Sequence, residues 1–263
     1  ASAEPSWIWV NVMEIHAYES NPRQCPNQEY DRIKASIRTQ GLDLPLAITR
    51  RPGQRHYLPC AGGNTRLKIL QELYAESGDE QLLNIHCLYK PWVEESQVLL
   101  AHLRENELRG NLSFIDKAHA VLEAKRLLET EMSDSPISQR RLAKLITDRG
   151  LSISHSMISK MTYAVERLLP LIPQALGAGM GKPQVEKLNI LERTCRQLWH
   201  HRALGSDAEF EETFAVLCRR YDNPDWDIHS LTAALEHEIA EAADTSLHVI
   251  RLELEVLMAG RGP

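Results

Sequence analysis

The spacing of apolar residues changes about a third of the way along the chain. Before Trp92, stretches rich in β-branched and aromatic residues, such as "WIWVNVMEI" and "LNIHCLYK", predict strands. They alternate with two predicted helices, "YDRIKASIRTQGL", in which Gly41 is a stop signal, and "LKILQELYAE". The stretch "PLAITRRPGQRHYLPC" predicts a β-hairpin that turns at Pro52-Gly53. These elements predict an α/β domain over residues 1–92.

Beyond Val93 the strand signal disappears, and apolar residues recur every three to four positions. We therefore expect an α+β protein, in which the α/β domain is followed by an all-α domain over residues 93–190 and a helical region over residues 191–263. The predicted helices are "EESQVLLAHLRENEL", "IDKAHAVLEAKRLLETEM", "QRRLAKLITDRG", "HSMISKMTYAVERLL", "VEKLNILERTCRQLWHH", "EFEETFAVLCRRY", "IHSLTAALEHEIAEA" and "LHVIRLELEVLM".

Composition restricts the class of protein. Of the 263 residues, 43% are apolar and 25% charged, which is ordinary for a globular protein and excludes the disordered and fibrous classes. No apolar run is long enough to span a membrane, and the N-terminus lacks a signal-peptide pattern, so we expect a cytoplasmic protein. An odd number of cysteines without Cys-x-x-Cys spacing argues against a disulfide framework or a zinc site. We expect reduced and mostly buried thiols at Cys25, Cys60, Cys87, Cys195 and Cys218.

Charge is distributed unevenly along the chain. The net charge of -6 alone would count against nucleic-acid binding. However, residues 138–169 carry six basic and two acidic side chains, whereas residues 205–244 carry two basic and eleven acidic side chains. The basic middle of the chain favours a local contact with nucleic acid, and the acidic end would discourage non-specific contact elsewhere.

The basic segment "ISQRRLAKLITDRGLSISHSMISKM" fits a helix-turn-helix at about residues 138–168, with Gly150 at the turn. A recognition helix presents polar and cationic side chains to DNA while its apolar face is anchored. Any pair of short packed helices gives a similar pattern, which is the alternative reading. We assign phosphate contacts to Arg140, Arg141, Lys144 and Lys160 and base contacts to His155, Ser156 and Ser159. Gln139 and Ser154 complete the expected DNA surface.

Two glycines lie where a predicted strand is followed by a predicted helix, in "AGGNTRLKIL" at residues 61–70. Gly62 and Gly63 would let backbone N–H groups approach a bound anion, which the N-terminus of the helix also favours. A tight turn without a ligand is the alternative.

The segment "RENELRGNLSFIDKA" at residues 104–118 is a second candidate. Glu105, Asn106 and Arg109 fall within about one helical turn and could together hold a hydrated divalent cation and a phosphate. The alternative is a solvated helix end followed by a new helix that Ser113 and Asp116 cap.

These motifs together resemble those of the ParB family of DNA-partition proteins. "NPR", "SIRTQGL" followed by "PLAI", "GGNTRLKI", "ENELRGNLSFIDKA" and the helix-turn-helix segment occur in the family's order and spacing, from Val10 to Ile190. The most specific part is "ENELRGNLSFIDKA", because the family reads Glu-Asn-x-x-Arg-x-x-Leu-x-x-Ile-x-x-Ala there. The chain looks most similar to divergent ParB-like proteins of integrating conjugative elements and plasmids.

The resemblance implies a ParB/sulfiredoxin-like N-terminal fold, CTP and Mg²⁺ as ligands, and a dimeric clamp on DNA. The family's phosphate motif Gly-Glu-Arg-Arg-x-Arg-Ala falls on residues 63–69, where Gly63 and Arg66 match the glycine and the second arginine and Lys68 replaces the third arginine conservatively. Carried over by residue, the nucleotide-binding set is Gly62, Gly63, Asn64, Thr65, Arg66, Lys68, Arg109 and Arg23. The metal-binding set is Glu105 and Asn106.

Two departures from the family motif concern hydrolysis. Asn64 stands where the family has an acid that assists hydrolysis, and Thr65 replaces an arginine that meets phosphate. An amide cannot act as a general base, and a hydroxyl binds phosphate more weakly than a guanidinium does. We therefore expect at most a weak CTPase and assign no catalytic residue.

The resemblance also implies partners: double-stranded DNA with a palindromic site, a second copy of the chain, and a ParA-type partition ATPase. The protein would then be associated with a nucleoid or plasmid and serve its partition or maintenance. A static transcriptional regulator that has lost the nucleotide and a ParB-like nuclease are the alternatives. Sulfiredoxin chemistry is disfavoured because Cys60 lies outside the phosphate loop. At the C-terminus, a dimer seam and packing within the chain both fit the apolar residues Leu247, Ile250, Leu252, Leu254, Val256 and Leu257.

Overall fold

The computed structural model describes residues 4–23, 27, 29–110, 112–133 and 136–259. A small mixed sheet and twelve α-helices make up this part of the chain, which confirms the α+β class. Two compact units can be recognised within it. The first comprises the described residues of Ala1–Leu112 and Ala120–Ser154, and the second those of Ser113–His119 and His155–Pro263. The division into three domains stays a prediction.

The sheet lies in the first unit and has the strand order β1-β4-β2-β3. β1 pairs antiparallel with β4, and β2 pairs parallel with β4 and antiparallel with β3. Both predicted strands and the predicted hairpin are confirmed, with Gly53 at the hairpin turn adopting a left-handed φ of 78°. The strands are β1 (Ser6–Asn11), β2 (Ala47–Thr49), β3 (Leu58–Pro59) and β4 (Asn84–Tyr89).

Helices α1 and α2 cover one face of the sheet. Leu67, Leu70 and Leu73 of α2 are almost fully buried with Ile37 of α1 and Ile48 of β2 in one apolar cluster. Each buried Leu or Ile side chain stabilises the fold by about 1.5–3 kcal/mol relative to an exposed one. The helices that begin in this unit are α1 (Tyr30–Gln40), α2 (Asn64–Ser77), α3 (Glu80–Leu83), α4 (Glu95–Leu108) and α6 (Gln139–Asp148), while α5 (Phe114–Met132) begins in the second unit.

The second unit is helical throughout its described residues. Trp199, Phe210 and Phe214 lie in its apolar core. The helix at Phe210 begins with a capping box, in which the Ser206 N–H donates to Glu209 Oε2 at 2.6 Å and the Glu209 N–H donates to Ser206 Oγ at 3.3 Å. The elements are α7 (His155–Thr162) with a π-helical turn at Tyr163–Leu168, α8 (Pro173–Gly177), α9 (Lys182–His201), α10 (Asp207–Arg220), α11 (Ile228–Ala242) and α12 (Leu247–Ala259).

A buried carboxylate, Glu192 of α9, is fully paired within this unit. Its oxygens accept hydrogen bonds from Tyr163 Oη at 2.5 Å, from Arg167 Nη2 at 2.7 Å and from Arg196 Nη2 at 3.0 Å. Glu211 also pairs with both arginines. A charge at 5% exposure is tolerated because both carboxylate oxygens accept hydrogen bonds and two arginines balance the charge.

Candidate functional site

A cavity of about 180 Å³ opens beside the N-terminus of α2 in the first unit. It brings together residues from three separate stretches of the chain: the turn before α1, the start of α2 and the last turns of α4. Nine of the ten residues that the sequence analysis assigns to the nucleotide and its metal line this cavity. They are Arg23, Gly62, Gly63, Asn64, Thr65, Arg66, Glu105, Asn106 and Arg109.

The tenth residue, Lys68, lies outside the cavity. Its side chain is exposed on α2, with Nζ 3.9 Å from a Glu72 oxygen and 5.5 Å from the centre of the Tyr30 ring. Successive helical residues are rotated by about 100°, so Lys68 is turned by roughly 200° from Arg66. The assignment of Lys68 to the nucleotide therefore has no geometric support.

The glycine turn has the backbone conformation that the sequence suggests. Gly62 and Gly63 have left-handed φ angles of 61° and 95°, and Gly63 is the N-cap of α2. A Cβ atom at Gly62 would lie 2.5 Å from Glu105 Oε2, so a side chain there would displace the carboxylate as well as strain the left-handed backbone. The first N–H groups of an α-helix have no acceptor within the helix, and here they are at the cavity.

Arg66 is a cation of the cavity whose charge is disfavoured by burial. It is half-buried, and its Nη1 donates to the carbonyl of Leu44 at 2.5 Å. Burial first, and the positive charge of Arg109 second, lower the pKa of Arg66, while Glu105 opposes them. Arg66 also lines an adjacent cavity of about 400 Å³ together with Ile33 and Leu44, so it forms part of the boundary between the two.

Glu105 and Asn106 are the candidate ligands for Mg²⁺ in this cavity. The Glu105 carboxylate contacts Gly62 on one side and pairs with Arg109 Nη2 at 2.5 Å on the other. The Asn106 Nδ2 donates to the His102 carbonyl at 2.9 Å, which leaves its Oδ1 as the acceptor. Within the described residues, no three His, Cys, Asp or Glu side chains cluster as they would in an all-protein metal site. Two oxygens nevertheless fit Mg²⁺, which usually keeps several waters and takes further ligands from phosphates.

Asn64 is already engaged with the backbone. Its Oδ1 accepts from the Tyr18 N–H and its Nδ2 donates to the Tyr18 carbonyl, both at 3.0 Å. Both polar atoms of the Asn64 amide are therefore hydrogen-bonded to the backbone of the loop at Tyr18. This use of Asn64 was not foreseen, because a residue 46 positions away supplies the partner.

Sequence reasoning also missed His102, which lies behind the glycine turn. The ring is fully buried and stacks on Tyr18 with centroids 4.6 Å apart. Burial lowers the pKa of His102 to about 4, and a hydrogen bond to the Pro59 carbonyl opposes that shift only in part. A single histidine within an apolar helical face looks like a core residue in sequence, so no signal distinguished it.

The capping alternative for the second motif holds as well. The Ser113 Oγ accepts a hydrogen bond from the Asp116 N–H at 3.1 Å, as at a helix N-cap. Thus Ser113 caps the start of α5 while the preceding residues of the motif line the cavity. Asn111 of this motif lies outside the described residues.

Four predicted DNA-binding residues of the first unit lie on α6. Ser138 is the N-cap of this helix and accepts from the Arg141 N–H at 3.3 Å. Leu142 and Ile146 are buried, which turns the opposite side of the helix outwards. Arg140, Arg141 and Lys144 are exposed, and Gln139 is half-buried.

The remaining predicted DNA-binding residues lie at or near α7, where Ser154 is the last residue of the first unit and the others belong to the second. Ile158 and Met161 anchor the helix in the core. Lys160 is half-buried and forms an ion pair with Glu186, which competes with DNA phosphate for its charge. The exposed residues are Ser154, His155, Ser156 and Ser159. Because α6 and α7 belong to different units, the helix-turn-helix stays a prediction.

Other sequence expectations can be followed in the same way. Cys60, Cys87, Cys195 and Cys218 are buried free thiols, as expected, and Cys25 lies outside the described residues. Of the six apolar residues on the last helix, Ile250 and Leu254 are buried in their own unit, whereas Leu252 and Val256 are 48% and 70% exposed. No helix in the described ranges is both long and apolar enough to cross a membrane.

Comparison with known proteins supports the resemblance. No family model matches the chain. A protein of Rhizobium rhizogenes named "Putative replication protein B" is 30% identical over 182 residues, which is 67% of this chain and 51% of that protein. The chain spans about half the length of the curated relatives it matches.

Solved structures are similar in fold. Two structures of a pNOB8-like ParB N-domain align with 92% and 96% of this chain and with 97% of their own lengths. Their TM-scores are 0.57 and 0.56, at 10% and 12% sequence identity. The chain therefore has a fold similar to that of these ParB N-domains, and part of it is similar in sequence to a curated replication protein.

Proposed function

We propose that the chain is a DNA-binding ParB-like protein for the partition or maintenance of a plasmid or integrating conjugative element, and that its first unit binds CTP with Mg²⁺. The observation that carries the nucleotide proposal is the cavity at the start of α2. Three separate motifs, chosen from sequence for a triphosphate, line one site there.

Charge supports a polyanionic ligand. Three arginines, Arg23, Arg66 and Arg109, line the cavity against one carboxylate, Glu105. The lowered pKa of Arg66 means that the cavity stabilises its positive charge less well than water does. A phosphate group beside Arg66 and the helix N-terminus would remove that deficit, because charge-assisted hydrogen bonds are strongest where water is excluded.

The cavity must enlarge to take a whole nucleotide. Its volume of about 180 Å³ is below the roughly 300–1,000 Å³ of typical small-molecule sites. Arg66 would leave the Leu44 carbonyl for a phosphate, which would join the cavity to the larger one beside it. Mg²⁺, held by Glu105 and Asn106, would neutralise part of the phosphate charge.

We further propose that the chain binds CTP without appreciable hydrolysis. Asn64 cannot accept a proton as a carboxylate does, and both of its polar atoms are bonded to Tyr18. Thr65 brings no positive charge to the phosphates. The cradle would thus serve to switch the conformation of the protein.

DNA binding would use α6 and α7 on a palindromic site. The exposed cations of α6 would contact phosphates, and the exposed serines and His155 of α7 would reach base edges. A palindrome requires a symmetric reader, so we propose a homodimer, with Leu252 and Val256 of α12 as exposed apolar residues available for its interface. A ParA-type ATPase is the proposed partner in partition.

A static DNA-binding regulator is the second candidate. The small size of the cavity and the departures at Asn64 and Thr65 are the observations that support this candidate, because a site that no longer binds nucleotide need not keep room for one. This candidate predicts no nucleotide binding.

Calorimetric titration of Mg²⁺ with CTP, ATP, GTP or UTP into the full chain separates the two candidates. Arg66→Ala should abolish binding, whereas the matched control Lys68→Ala removes a cation from the same helix outside the cavity and should not. Selective CTP binding with this pattern supports the clamp. No binding of any nucleotide, with or without DNA, contradicts it in favour of the static regulator.

A further inference from the structure

The loop between β3 and α2 is held by hydrogen bonds to one buried side chain of α4, that of His102. His102 Nδ1 accepts a hydrogen bond from the Gly62 N–H at 3.1 Å, and His102 Nε2 lies 2.9 Å from the Pro59 carbonyl oxygen. One nitrogen must accept and the other must donate, so the ring is neutral and carries its proton on Nε2. A single imidazole therefore fixes both ends of the segment 59–62.

This bond decides which way the turn faces. The Gly62 N–H points to His102 and is not available to an anion in the cavity. A Cβ atom at Gly62 would lie 2.5 Å from Glu105 Oε2, so the carboxylate would have to move. His102 and Glu105 come from neighbouring turns of α4, so two side chains of one helix lie next to this glycine. The N–H groups at the start of α2 are the ones left for phosphate.

Tyr18 extends the same arrangement to the start of α2. Its ring stacks on His102 at an interplanar angle of 22°, and its backbone is bonded twice to Asn64. The loop is thus anchored at Pro59, Gly62 and Asn64. A segment that already has the bound conformation binds more tightly, because the free energy of binding is not reduced by the entropy lost in ordering the segment.

We propose that His102 is a positioning residue, which keeps the segment 59–63 in the conformation that accepts the nucleotide phosphates. The proposal rests on the nucleotide site proposed above. It adds a residue that does not touch the ligand and acts only through the backbone of the loop.

Two variants of the full chain test it. His102→Leu retains an apolar side chain beside Tyr18 but offers neither hydrogen bond, and His102→Gln offers one acceptor and one donor. We expect His102→Leu to weaken Mg²⁺-CTP binding at least tenfold in calorimetry and His102→Gln to retain affinity to within about threefold. Melting curves give the temperature at which each variant is fully folded, and the titrations are made there.

Hydrogen exchange of the Gly62 amide, followed by NMR, reads the positioning directly. The amide should be protected in the wild type and in His102→Gln and should exchange freely in folded His102→Leu. Nitrogen-15 shifts of the wild-type imidazole should report a neutral ring protonated on Nε2 at pH 7, which tests the geometry even if His102→Leu does not fold.

The outcomes are distinct. Wild type that binds CTP together with a folded His102→Leu variant that binds equally well overturns the positioning role alone, as does an imidazole protonated on Nδ1. Wild type that binds no nucleotide overturns the proposed function, and the positioning role fails with it.

Discussion

Two groups of neighbouring arginines in this molecule differ in how many carboxylates accompany them. In the second unit, Arg167 and Arg196 share Glu192 and Glu211. Burial alone would lower the pKa of both arginines, but their hydrogen bonds with these carboxylates outweigh it and raise the pKa. This group is complete without any ligand.

In the cavity of the first unit, the balance has the opposite sign. Arg66 and Arg109 approach one carboxylate, Glu105, which pairs with Arg109. Burial and the like charge of Arg109 therefore lower the pKa of Arg66. Arginines that lie close together are structural where carboxylates match them, and they indicate an anion site where carboxylates are too few.

The largest effect should come from breaking the balanced group. Glu192→Ala would leave two half-buried guanidinium groups and the Tyr163 hydroxyl without their shared acceptor. We expect the free energy of unfolding, measured by urea denaturation, to fall by about 3–5 kcal/mol. The exposed Glu212 on α10 provides a control, since Glu212→Ala should change it by less than about 0.5 kcal/mol. Equal losses in the two variants would contradict the comparison.

His102 sharpens the comparison with a buried group that stays neutral. Its pKa is about 4 when folded and about 6.5 when unfolded, so the unfolded chain binds the proton first as the pH falls. The stability it contributes is complete above pH 6.5 and is lost as the pH approaches 4. The wild type should therefore lose about 3 kcal/mol more than His102→Gln over this range in pH-dependent urea denaturation. Parallel pH profiles would show that the imidazole is accessible to protons in the folded state.

Removing the unbalanced cation should behave in the opposite way to removing Glu192. Arg66→Leu deletes a charge that burial disfavours, at the cost of one hydrogen bond to Leu44. We expect the free energy of unfolding without nucleotide to change by no more than about 1 kcal/mol, while CTP affinity falls more than tenfold. A loss of stability as large as that of Glu192→Ala would mean that Arg66 is structural.

The smallest effects are expected for cations on the surface. The exposed Lys144 of α6 should contribute one phosphate contact, so Lys144→Ala should reduce the slope of log K against log salt for operator DNA by about one unit. Lys160→Ala should change the slope less, because Lys160 is paired with Glu186. Filter-binding titrations over a range of salt concentrations measure both slopes, and a larger change at Lys160 would reverse the assignment.

Local pattern was sufficient for the strands, the hairpin and all the described helices except the short α3 and α8. Strand-favouring residues and helical spacing predicted these elements, because apolar residues must line the buried face of each one. Gly41 and the Gly62-Gly63 pair were readable for a similar reason, since these positions have left-handed φ angles.

Long-range contacts were not accessible from the same patterns. The bonds from Asn64 to Tyr18 and from Gly62 to His102 join residues 46 and 40 positions apart, and each partner is unremarkable in its own segment. The position of Lys68 outside the cavity could have been anticipated, because helical geometry alone turns it away from Arg66. The pairing of Lys160 with Glu186 likewise depends on how α7 packs within its unit.

The two hydrogen bonds between Asn64 and Tyr18 have a consequence for how long a nucleotide would stay bound, as well as for its affinity. In the proposed nucleotide site, the Asn64 amide could not take a proton from an attacking water, so the residence time of a bound nucleotide would be set by dissociation. The site would then stay occupied for as long as the cellular CTP concentration is high enough for a new molecule to replace each one that dissociates. A protein of this kind would report the nucleotide supply of its host and would not count turnovers.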